Sequence, residues 1–334
     1  MSVLKRDVRF YGAATNPDDD TTEDIGGAID TAIKVTWGEL SAAVELKAVS
    51  SNAGDTTQTV TITGRTASGA KVTEVITLNG TTPAQAGTPK TFARTMKAIK
   101  SATCAGDVAL MSNTATRSNT ATGGGVDADG NPYIDLDAGA SATDDIYKGE
   151  VVRVTSGTGA GELNEGVRYD GAAKRLYVRN DWGTAPASGS GFELAKGMFF
   201  EKAPSEIMEC RRIHFDEAAN ALGGADKDSY DKVFIKNTHA TLALSNAVVS
   251  EVVSGISTKE TFALDAAVNG TTTNGAGNNR NVAPAGTFDS ADKAVPGGNL
   301  EPGDAIGVWC KLTLADGDAA QNSFYELQCA GTTT

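Results

Sequence analysis

The residues best suited to catalysis or metal binding in this chain are two histidines, four cysteines and 42 acidic side chains. Histidine is a common general base and zinc ligand, so His214 and His239 are the first candidates. They lie far apart in the sequence, and neither has a second ligand at the spacing of a zinc site. No G-x-S-x-G motif accompanies them, so a Ser-His-Asp hydrolase is not indicated. We interpret both histidines as structural or surface residues.

A glycine-rich segment, GTGAG at residues 157–161, follows a predicted strand, as a phosphate-binding loop does. It lacks the Lys-Ser or Lys-Thr pair of a P-loop, and acidic residues, Glu162 and Glu165, come next. A phosphate there would meet carboxylates rather than the N-terminus of a helix. The segment therefore predicts a glycine turn between two strands.

The sequence DADGN, which contains Asp127, Asp129 and Asn131, matches part of a calcium-binding loop. Its glycine stands at the fourth position instead of the sixth, and the twelfth position holds no glutamate, so a turn is the default interpretation. The many other acidic residues always offer pairs for glycoside hydrolysis, but no pair stands out. We therefore predict no catalytic residue, no cofactor and no dedicated metal site. Weak cation binding is kept as an alternative because four more carboxylates lie nearby: Asp135, Asp137, Asp144 and Asp145.

The four cysteines, Cys104, Cys210, Cys310 and Cys329, are scattered and form no C-x-x-C motif. This spacing is typical of buried thiols in an intracellular protein rather than of a disulfide framework. Cys310 and Cys329 lie on predicted strands that could pair, so a disulfide between them stays open. The first residues, MSVLKRDVRFYG, show no secretory signal, and no apolar run reaches the length of a membrane span.

One N-terminal segment combines basic and aromatic side chains in an otherwise acidic protein. Its residues are Lys5, Arg6, Arg9, Phe10 and Tyr11. Arginine and tyrosine are favoured in protein interfaces, which makes this arm a candidate contact with a neighbouring subunit. An ordinary edge strand with solvated charges explains the same residues equally well.

The elements that must position these residues are β-strands, and residues 57–78 show this most clearly. Val60 and Ile62 alternate with threonines, and Ile76 continues the apolar face after a glycine-containing turn. Period-2 alternation with β-branched residues is typical of half-buried antiparallel strands. Glu74 is the one polar residue on the apolar face. The segment predicts a β-hairpin.

The rest of the chain repeats short strands and turns, with no long amphipathic helix and no βαβ alternation. We expect an all-β fold of several antiparallel sandwich-like or barrel-like modules, immunoglobulin-like or similar, joined by Gly/Thr-rich loops. Residues 112–125, SNTATRSNTATGGG, are small and polar and predict a flexible linker or a long loop. Residues 305–314 and 323–330 predict a terminal hairpin.

The length of 334 residues allows two or three domains whose cores need no disulfides. The net charge of −13 repels nucleic-acid phosphates and anionic membranes, so neither is an expected partner. The expected domains are 1–111 with the arm and a first module, 112–196 with the linker and a small middle module, and 197–334 with a C-terminal sandwich.

Three stretches resemble tailed-bacteriophage virion proteins, in particular head decoration, or cement, proteins. They are VTITGRTASGAKVTEVITLNGTTP at 60–83, VTSGTGAGELNEGVRYDGAAKRLYVRNDWGTAP at 154–186 and LEPGDAIGVWCKLTL at 300–314. The resemblance implies β-rich modules, no enzymatic activity and attachment to an assembled shell, where such proteins often form trimers between capsomers. It carries over no catalytic residue.

On this basis we expect a structural virion protein on the outer capsid surface, assembled in the host cytoplasm. It would bridge neighbouring subunits of the major capsid protein after shell expansion, as a homotrimer. The acidic balance favours the outer surface, because the inner surface faces packed DNA. Two other functions stay open. One is a tail or fibre protein that binds host glycans through exposed aromatics such as Trp182, and the other is a hydrolase of cell-wall or surface polymers.

Overall fold

The computed structural model describes residues 2–16, 24–36, 40–213, 225–252, 259–275, 280–317 and 326–333. Strands hold 49% of the chain and helix 1%, so the predicted all-β fold is confirmed. The one helical element within the described ranges is a single 3-10 turn, Lys5–Asp7. No helix in the described part of the chain is long and apolar enough to cross a membrane.

The strands of the first half are β1 (Val8–Thr15), β2 (Gly26–Val35), β3 (Leu46–Ser50), β4 (Thr59–Arg65), β5 (Lys71–Thr77), β6 (Arg94–Lys100), β7 (Val108–Ser112), β8 (Arg117–Thr120), β9 (Gly123–Val126), β10 (Pro132–Asp135), β11 (Val151–Ser156) and β12 (Leu163–Asp170). Those of the second half are β13 (Arg175–Val178), β14 (Gly191–Ala195), β15 (Gly197–Phe200), β16 (Glu209–Arg211), β17 (Lys227–Asn237), β18 (Leu244–Glu251), β19 (Glu260–Leu264), β20 (Lys293–Ala294), β21 (Asn299–Leu300), β22 (Ala305–Leu314) and β23 (Leu327–Thr333).

The chain divides into two compact units instead of three consecutive domains. Unit 1 is Gly38–Arg211, and unit 2 combines Ser2–Trp37 with Arg212–Thr334. This differs from the domains predicted at 1–111, 112–196 and 197–334. The physical reason is that β1 pairs with β17, so the N-terminal strand folds with the C-terminal part of the chain. Consecutive strands usually become neighbours in a sheet, but strands far apart in the sequence can pair as well.

Unit 1 contains three antiparallel groups of strands. Their orders are β16-β6-β4-β5, β15-β7-β3 and the seven-stranded β8-β14-β11-β12-β13-β10-β9. The predicted hairpin is confirmed, because β4 and β5 pair from Thr59↔Thr77 to Arg65↔Lys71. Glu74 is 4% exposed there and accepts a hydrogen bond from the backbone amide of Lys90, so this polar residue is tolerated on a buried face.

The seven-stranded sheet occupies most of the predicted middle module, but the predicted flexible linker before it is wrong. Residues 112–125 hold β8 and β9, which pair with β14 and β10 at the two ends of the sheet. An edge strand needs a partner on one side only and little apolar surface, so a small, polar sequence suffices. The predicted turn at 157–161 is confirmed between β11 and β12, where Gly157, Gly159 and Gly161 all have positive φ angles.

Unit 2 is built from two antiparallel sheets that share one hydrophobic core. One has the order β19-β22-β17-β1-β2, and in the other β18 pairs with β20, β21 and β23. Their shared core contains Val233, Val249, Phe262, Leu300 and Ile306, all fully buried. Apolar side chains from two facing sheets meet in the core as in a sandwich.

The predicted terminal hairpin of residues 305–314 and 323–330 does not form. Strand β22 pairs with β17 and β19, whereas β23 pairs with β18 in the other sheet of unit 2. Cys310 and Cys329 therefore lie on different sheets, and both are free thiols. The sequence shows two strands in succession, but it does not show that each has a better partner elsewhere.

Candidate functional site

The N-terminal segment is an interior part of unit 2 rather than an arm or an edge strand. Strand β1 is paired on both sides, with β17 and with β2. Tyr11 is 2% exposed, and Phe10 packs against the core. Lys5 is exposed on the 3-10 turn, while Arg6 on that turn and Arg9 on β1 are half-buried. Only the first few residues of the predicted contact segment are thus available to another subunit.

The described histidine and acidic candidates form hydrogen bonds with the backbone of neighbouring residues. His239 lies after β17, and its Nδ1 accepts hydrogen bonds from the backbone amides of Thr241 (3.1 Å) and Leu242 (3.0 Å). His214 lies outside the described residues. In the DADGN turn, Asp127 Oδ1 accepts the backbone amide of Asn131 at 2.8 Å. This is an ordinary turn stabilised by an aspartate side chain.

The four neighbouring carboxylates are also engaged. Asp135 pairs with Arg175 and Asp137 with Arg117, each at short range. The other two accept hydrogen bonds from backbone amides. The Gly171 amide donates to Asp144 at 2.7 Å, and the Tyr169 amide donates to Asp145 at 2.8 Å. Within the described ranges, no group of three or more His, Cys, Asp and Glu residues could hold a metal ion.

The outer face of the seven-stranded sheet carries a cluster of tyrosine and arginine side chains, which we call the Tyr-Arg face. It consists of Tyr133 on β10, Arg168 on β12, and Arg175 and Tyr177 on β13. The tyrosine rings meet edge to face, with centroids 6.4 Å apart. Arg175 Cζ lies 3.6 Å from the Tyr133 ring centroid, and Arg168 Cζ lies 4.0 Å from that of Tyr177.

Strand register explains why three of these side chains meet, and Arg175 lies two residues before Tyr177 on the same face of β13. Tyr133 is paired with Tyr177, and Tyr177 with Arg168, so one row crosses three strands. Side chains alternate along each strand, and the neighbours Ile134 and Leu176 point into the core with no exposed surface. A guanidinium over a tyrosine ring is attracted by the ring's negative face. These contacts hold the four side chains against one another on the face of the sheet.

Trp182, predicted as an exposed aromatic, packs against the core of this sheet instead. Its side chain is half-buried, and Nε1 donates a hydrogen bond to the backbone oxygen of Tyr133 at 3.0 Å. A tryptophan that stacks on sugar rings needs one free face in solvent. Trp182 serves mainly to anchor its loop to β10.

A second cluster lies inside unit 2, where Lys232 on β17 meets Asp265, the residue directly after β19. Lys232 Nζ lies 2.7 Å from Asp265 Oδ2, and the two side chains are 0% and 1% exposed. Trp309 Nε1 on β22 donates to Asp265 Oδ1 at 2.9 Å, and the hydroxyl of Thr272 donates to the same oxygen. We call these four residues the Lys-Asp centre.

The order β19-β22-β17 explains this arrangement, because both members of the pair reach over the strand between them. Lys232 is paired with Trp309 across β17 and β22, and the Asp265 amide donates to the Gly307 carbonyl at 2.8 Å. A Cβ on Gly307 would lie 2.3 Å from Asp265 Oδ2 and 2.7 Å from Lys232 Cε. Glycine inside a strand commonly marks such a close approach, and here only glycine leaves room for the pair.

The surroundings of Lys232 are dry and partly aromatic. Nζ donates to the backbone oxygens of Gly27 (3.1 Å) and Thr272 (2.9 Å), and it lies 4.8 Å from the Phe234 ring centroid. Burial lowers the pKa of Lys232, and the neighbouring carboxylate of Asp265 opposes that shift. Desolvation thus favours the neutral amine, the form that can act as a nucleophile.

Sequence reasoning placed Lys232 in a strand but missed the Lys-Asp centre. Alternation puts Lys232 on the face opposite Val233, which the strand pattern alone assigns to solvent. In the fold that face is also covered, by Ile25 and Trp309, so the whole stretch 229–235 is buried. The one sequence signal was Gly307, a glycine within the apolar run AIGVWC.

The chain matches no protein-family model, no curated protein and no solved structure. The function proposed below therefore rests on the Tyr-Arg face and on the sequence resemblance described above.

Proposed function

We propose that this chain is a structural virion protein that decorates a tailed-phage capsid and bridges neighbouring subunits of the major capsid protein. The observation that carries the proposal is the Tyr-Arg face, a pre-ordered set of interface-type side chains on a paired antiparallel sheet. The sequence resemblance to decoration proteins is the reason for proposing the major capsid protein as the partner. The proposed form is a homotrimer on the outer surface of the particle.

The Tyr-Arg face suits a protein partner for two reasons. Tyrosine and arginine are over-represented among residues that dominate binding free energy in protein interfaces. Its guanidinium groups are already held against tyrosine rings, so docking costs less side-chain entropy than it would for free arginines. Asp135 neutralises Arg175, so the charge that this face offers to an acidic partner is that of the exposed Arg168. Weak contacts of this kind add up when a symmetric shell presents them many times.

A tail or fibre protein that binds host glycans has less support from the structure. Sugar rings stack on exposed aromatic faces. Trp182 packs on the core, and a guanidinium covers one face of Tyr133 and of Tyr177. A glycan array with the purified protein tests this alternative directly, and we expect no binding.

Co-sedimentation with expanded empty capsids of the phage that encodes the chain tests the proposal. We expect the protein to pellet with expanded capsids, and the variant with Arg168→Glu and Tyr177→Ala to bind at least ten-fold more weakly. The control Lys71→Glu on β5 makes the same change of charge at an exposed site outside the Tyr-Arg face. If the natural chain stays in the supernatant, capsid decoration is wrong. If it pellets and both variants bind equally well, the Tyr-Arg face is not the contact.

A further inference from the structure

We propose that Lys232 and Asp265 form an intramolecular amide bond, an isopeptide cross-link between the Lys232 Nζ and the Asp265 Cγ, across strand β22. This inference goes beyond capsid decoration and does not depend on it. It rests on the Lys-Asp centre alone, and each part of the reaction has a counterpart in the residues already described.

The reacting groups are in contact and shielded from water. Lys232 Nζ lies 2.7 Å from Asp265 Oδ2, with both side chains at most 1% exposed. The contact lies outside hydrogen-bond geometry, and Oδ2 accepts no hydrogen bond from any described residue. The two hydrogens that a neutral amine keeps have carbonyl acceptors at Gly27 and Thr272. The nitrogen lone pair is then left for the carboxyl group.

The reaction begins with a proton transfer inside the pair. The Lys232 ammonium gives one proton to Asp265 Oδ2, which produces a neutral amine and a neutral carboxylic acid. A dry interior favours this exchange because a buried ion pair loses the hydration of both charges. The lowered pKa of Lys232 acts in the same direction.

The amine then attacks Cγ, and the Nζ–Cγ bond forms. The negative charge that develops on Asp265 Oδ1 meets two donors already aimed at that oxygen, Trp309 Nε1 at 2.9 Å and the Thr272 hydroxyl. Donors fixed in advance at such an oxygen stabilise a tetrahedral intermediate. A second proton moves from Nζ to Oδ2, the Cγ–Oδ2 bond breaks, and Oδ2 leaves as water. No oxidant, reductant or cofactor is required.

The fold supplies the positioning that this uncatalysed condensation lacks in solution. Holding two reactants in contact can replace a bimolecular encounter by an effective concentration of about 10⁵–10⁸ M. Gly307 provides the space for the pair, and a Cβ on Gly26 would lie 2.8 Å from Trp309 Cη2, so glycine is needed there as well. The product would link β17 to the end of β19, the two neighbours of β22.

Two other ion pairs in the described ranges also have a cation with no exposed surface, but each lacks one or more of these features. Arg280 and Asp231 are equally buried, but a guanidinium stays protonated and is not a nucleophile. Lys100 contacts Glu206 at 2.8 Å. Burial opposes the ionisation of Glu206, but hydrogen bonds from Lys100, Lys202 and the Cys104 amide lower its pKa to about 2. That carboxylate stays charged and resists attack by an amine.

Intact-mass spectrometry and a tryptic peptide map of the full purified chain test the proposal. We expect a mass lower than that of the sequence by one water molecule. We also expect a branched peptide that joins the Lys232 and Asp265 segments, with no cleavage after Lys232. The branched peptide makes the result independent of any processing at the termini. The full mass, with linear peptides through both residues in a natively folded sample, would overturn the proposal.

Substitutions at the two reacting residues test which side chains form the amide bond. Lys232→Arg and Asp265→Ala are expected to show no loss of water, whereas the control Lys236→Arg, on the same strand, is expected to keep it. Trp309→Phe retains an aromatic ring but removes the Nε1 donor, so we expect a smaller cross-linked fraction than in the natural chain at the same time after synthesis. Loss of water in Lys232→Arg would show that another pair reacts and would exclude the Lys-Asp centre. The natural chain's peptide map remains decisive even if a variant fails to fold.

Discussion

Glu206 and Asp265 are both largely shielded carboxylates, but they differ in the number of donors that their oxygens meet. Glu206 receives hydrogen bonds from Lys100 at 2.8 Å, from Lys202 at 2.6 Å and from the Cys104 amide at 2.7 Å. Its charge is fully compensated, so it acts as a structural anchor near the end of β6. Asp265 has donors at one oxygen and an amine beside the other, which is the arrangement that the proposed cross-link requires.

The Glu206 network predicts a pH-dependent stability. Its pKa in the folded state is about 2, compared with an ordinary value of 4.5, so its stabilisation is complete above pH 4.5 and is lost as the pH falls through about 2. After allowance for solvent screening, we expect Glu206→Gln to lower the free energy of unfolding by about 1 kcal/mol at neutral pH. Urea denaturation at neutral pH and near pH 2 measures this, and the difference between the two proteins should shrink at the lower pH.

The matched control is Glu45→Gln, at an exposed glutamate whose partner is Gln85 at 3.0 Å. We expect it to change stability by less than about 0.5 kcal/mol. A Glu206→Gln effect of the same size at both pH values would contradict the proposed role of the ionised carboxylate.

At the scale of elements, local pattern identified strands well and strand partners poorly. The alternation of Val60 and Ile62 specified the β4-β5 hairpin, because a tight turn makes the two strands neighbours. The same kind of pattern in residues 305–314 specified β22 but not its neighbours β17 and β19. The choice of a neighbouring strand depends on contacts between segments far apart in the sequence. The alternation of side chains within one strand does not identify those contacts.

Strand β1 gives a test at this scale. Deleting residues 1–12 removes most of a strand that is paired on both sides, so we expect unit 2 to lose its cooperative unfolding transition. A domain of ordinary stability, about 5–15 kcal/mol, cannot absorb that loss. Thermal denaturation followed by circular dichroism measures it. A native transition in the truncated chain would show that β1 is dispensable.

A single substitution tests whether the N-terminal segment contacts the capsid without disturbing the fold of unit 2. Lys5 is exposed on the 3-10 turn, and Lys5→Ala leaves β1 intact. We expect its unfolding transition to match that of the natural chain. Co-sedimentation of this variant with expanded capsids then tests whether the segment contacts the shell, and unchanged binding would remove it from the proposed interface.

At the scale of the whole molecule, no disulfide is expected to contribute to stability, because all four cysteines are free thiols. Burial raises the pKa of Cys329 to about 11 and that of Cys310 well above its ordinary value. Thiols that stay protonated react slowly with alkylating reagents. We expect little labelling of these two in the native protein at neutral pH.

After denaturation without a reductant, we expect the reagent to label four cysteines in each chain, which intact-mass spectrometry counts. Fewer than four labels, restored to four by a reductant, would reveal a disulfide and contradict the placement of Cys310 and Cys329 on different sheets. The same mass measurement also reports the water lost in the proposed cross-link. One sample therefore tests both the absence of a disulfide and the presence of the Lys232–Asp265 bond.

The all-β class, the β4-β5 hairpin and the glycine turn at 157–161 could be predicted from the sequence, because alternation and glycine turns are local properties of strands. The interior position of β1, the edge strands β8 and β9, and the buried centre of Lys232, Asp265 and Trp309 are visible only in the fold. Those outcomes depend on which strands become neighbours and on whether the second face of β17 is covered. Both are set by contacts between distant segments, which side-chain periodicity along one strand cannot encode.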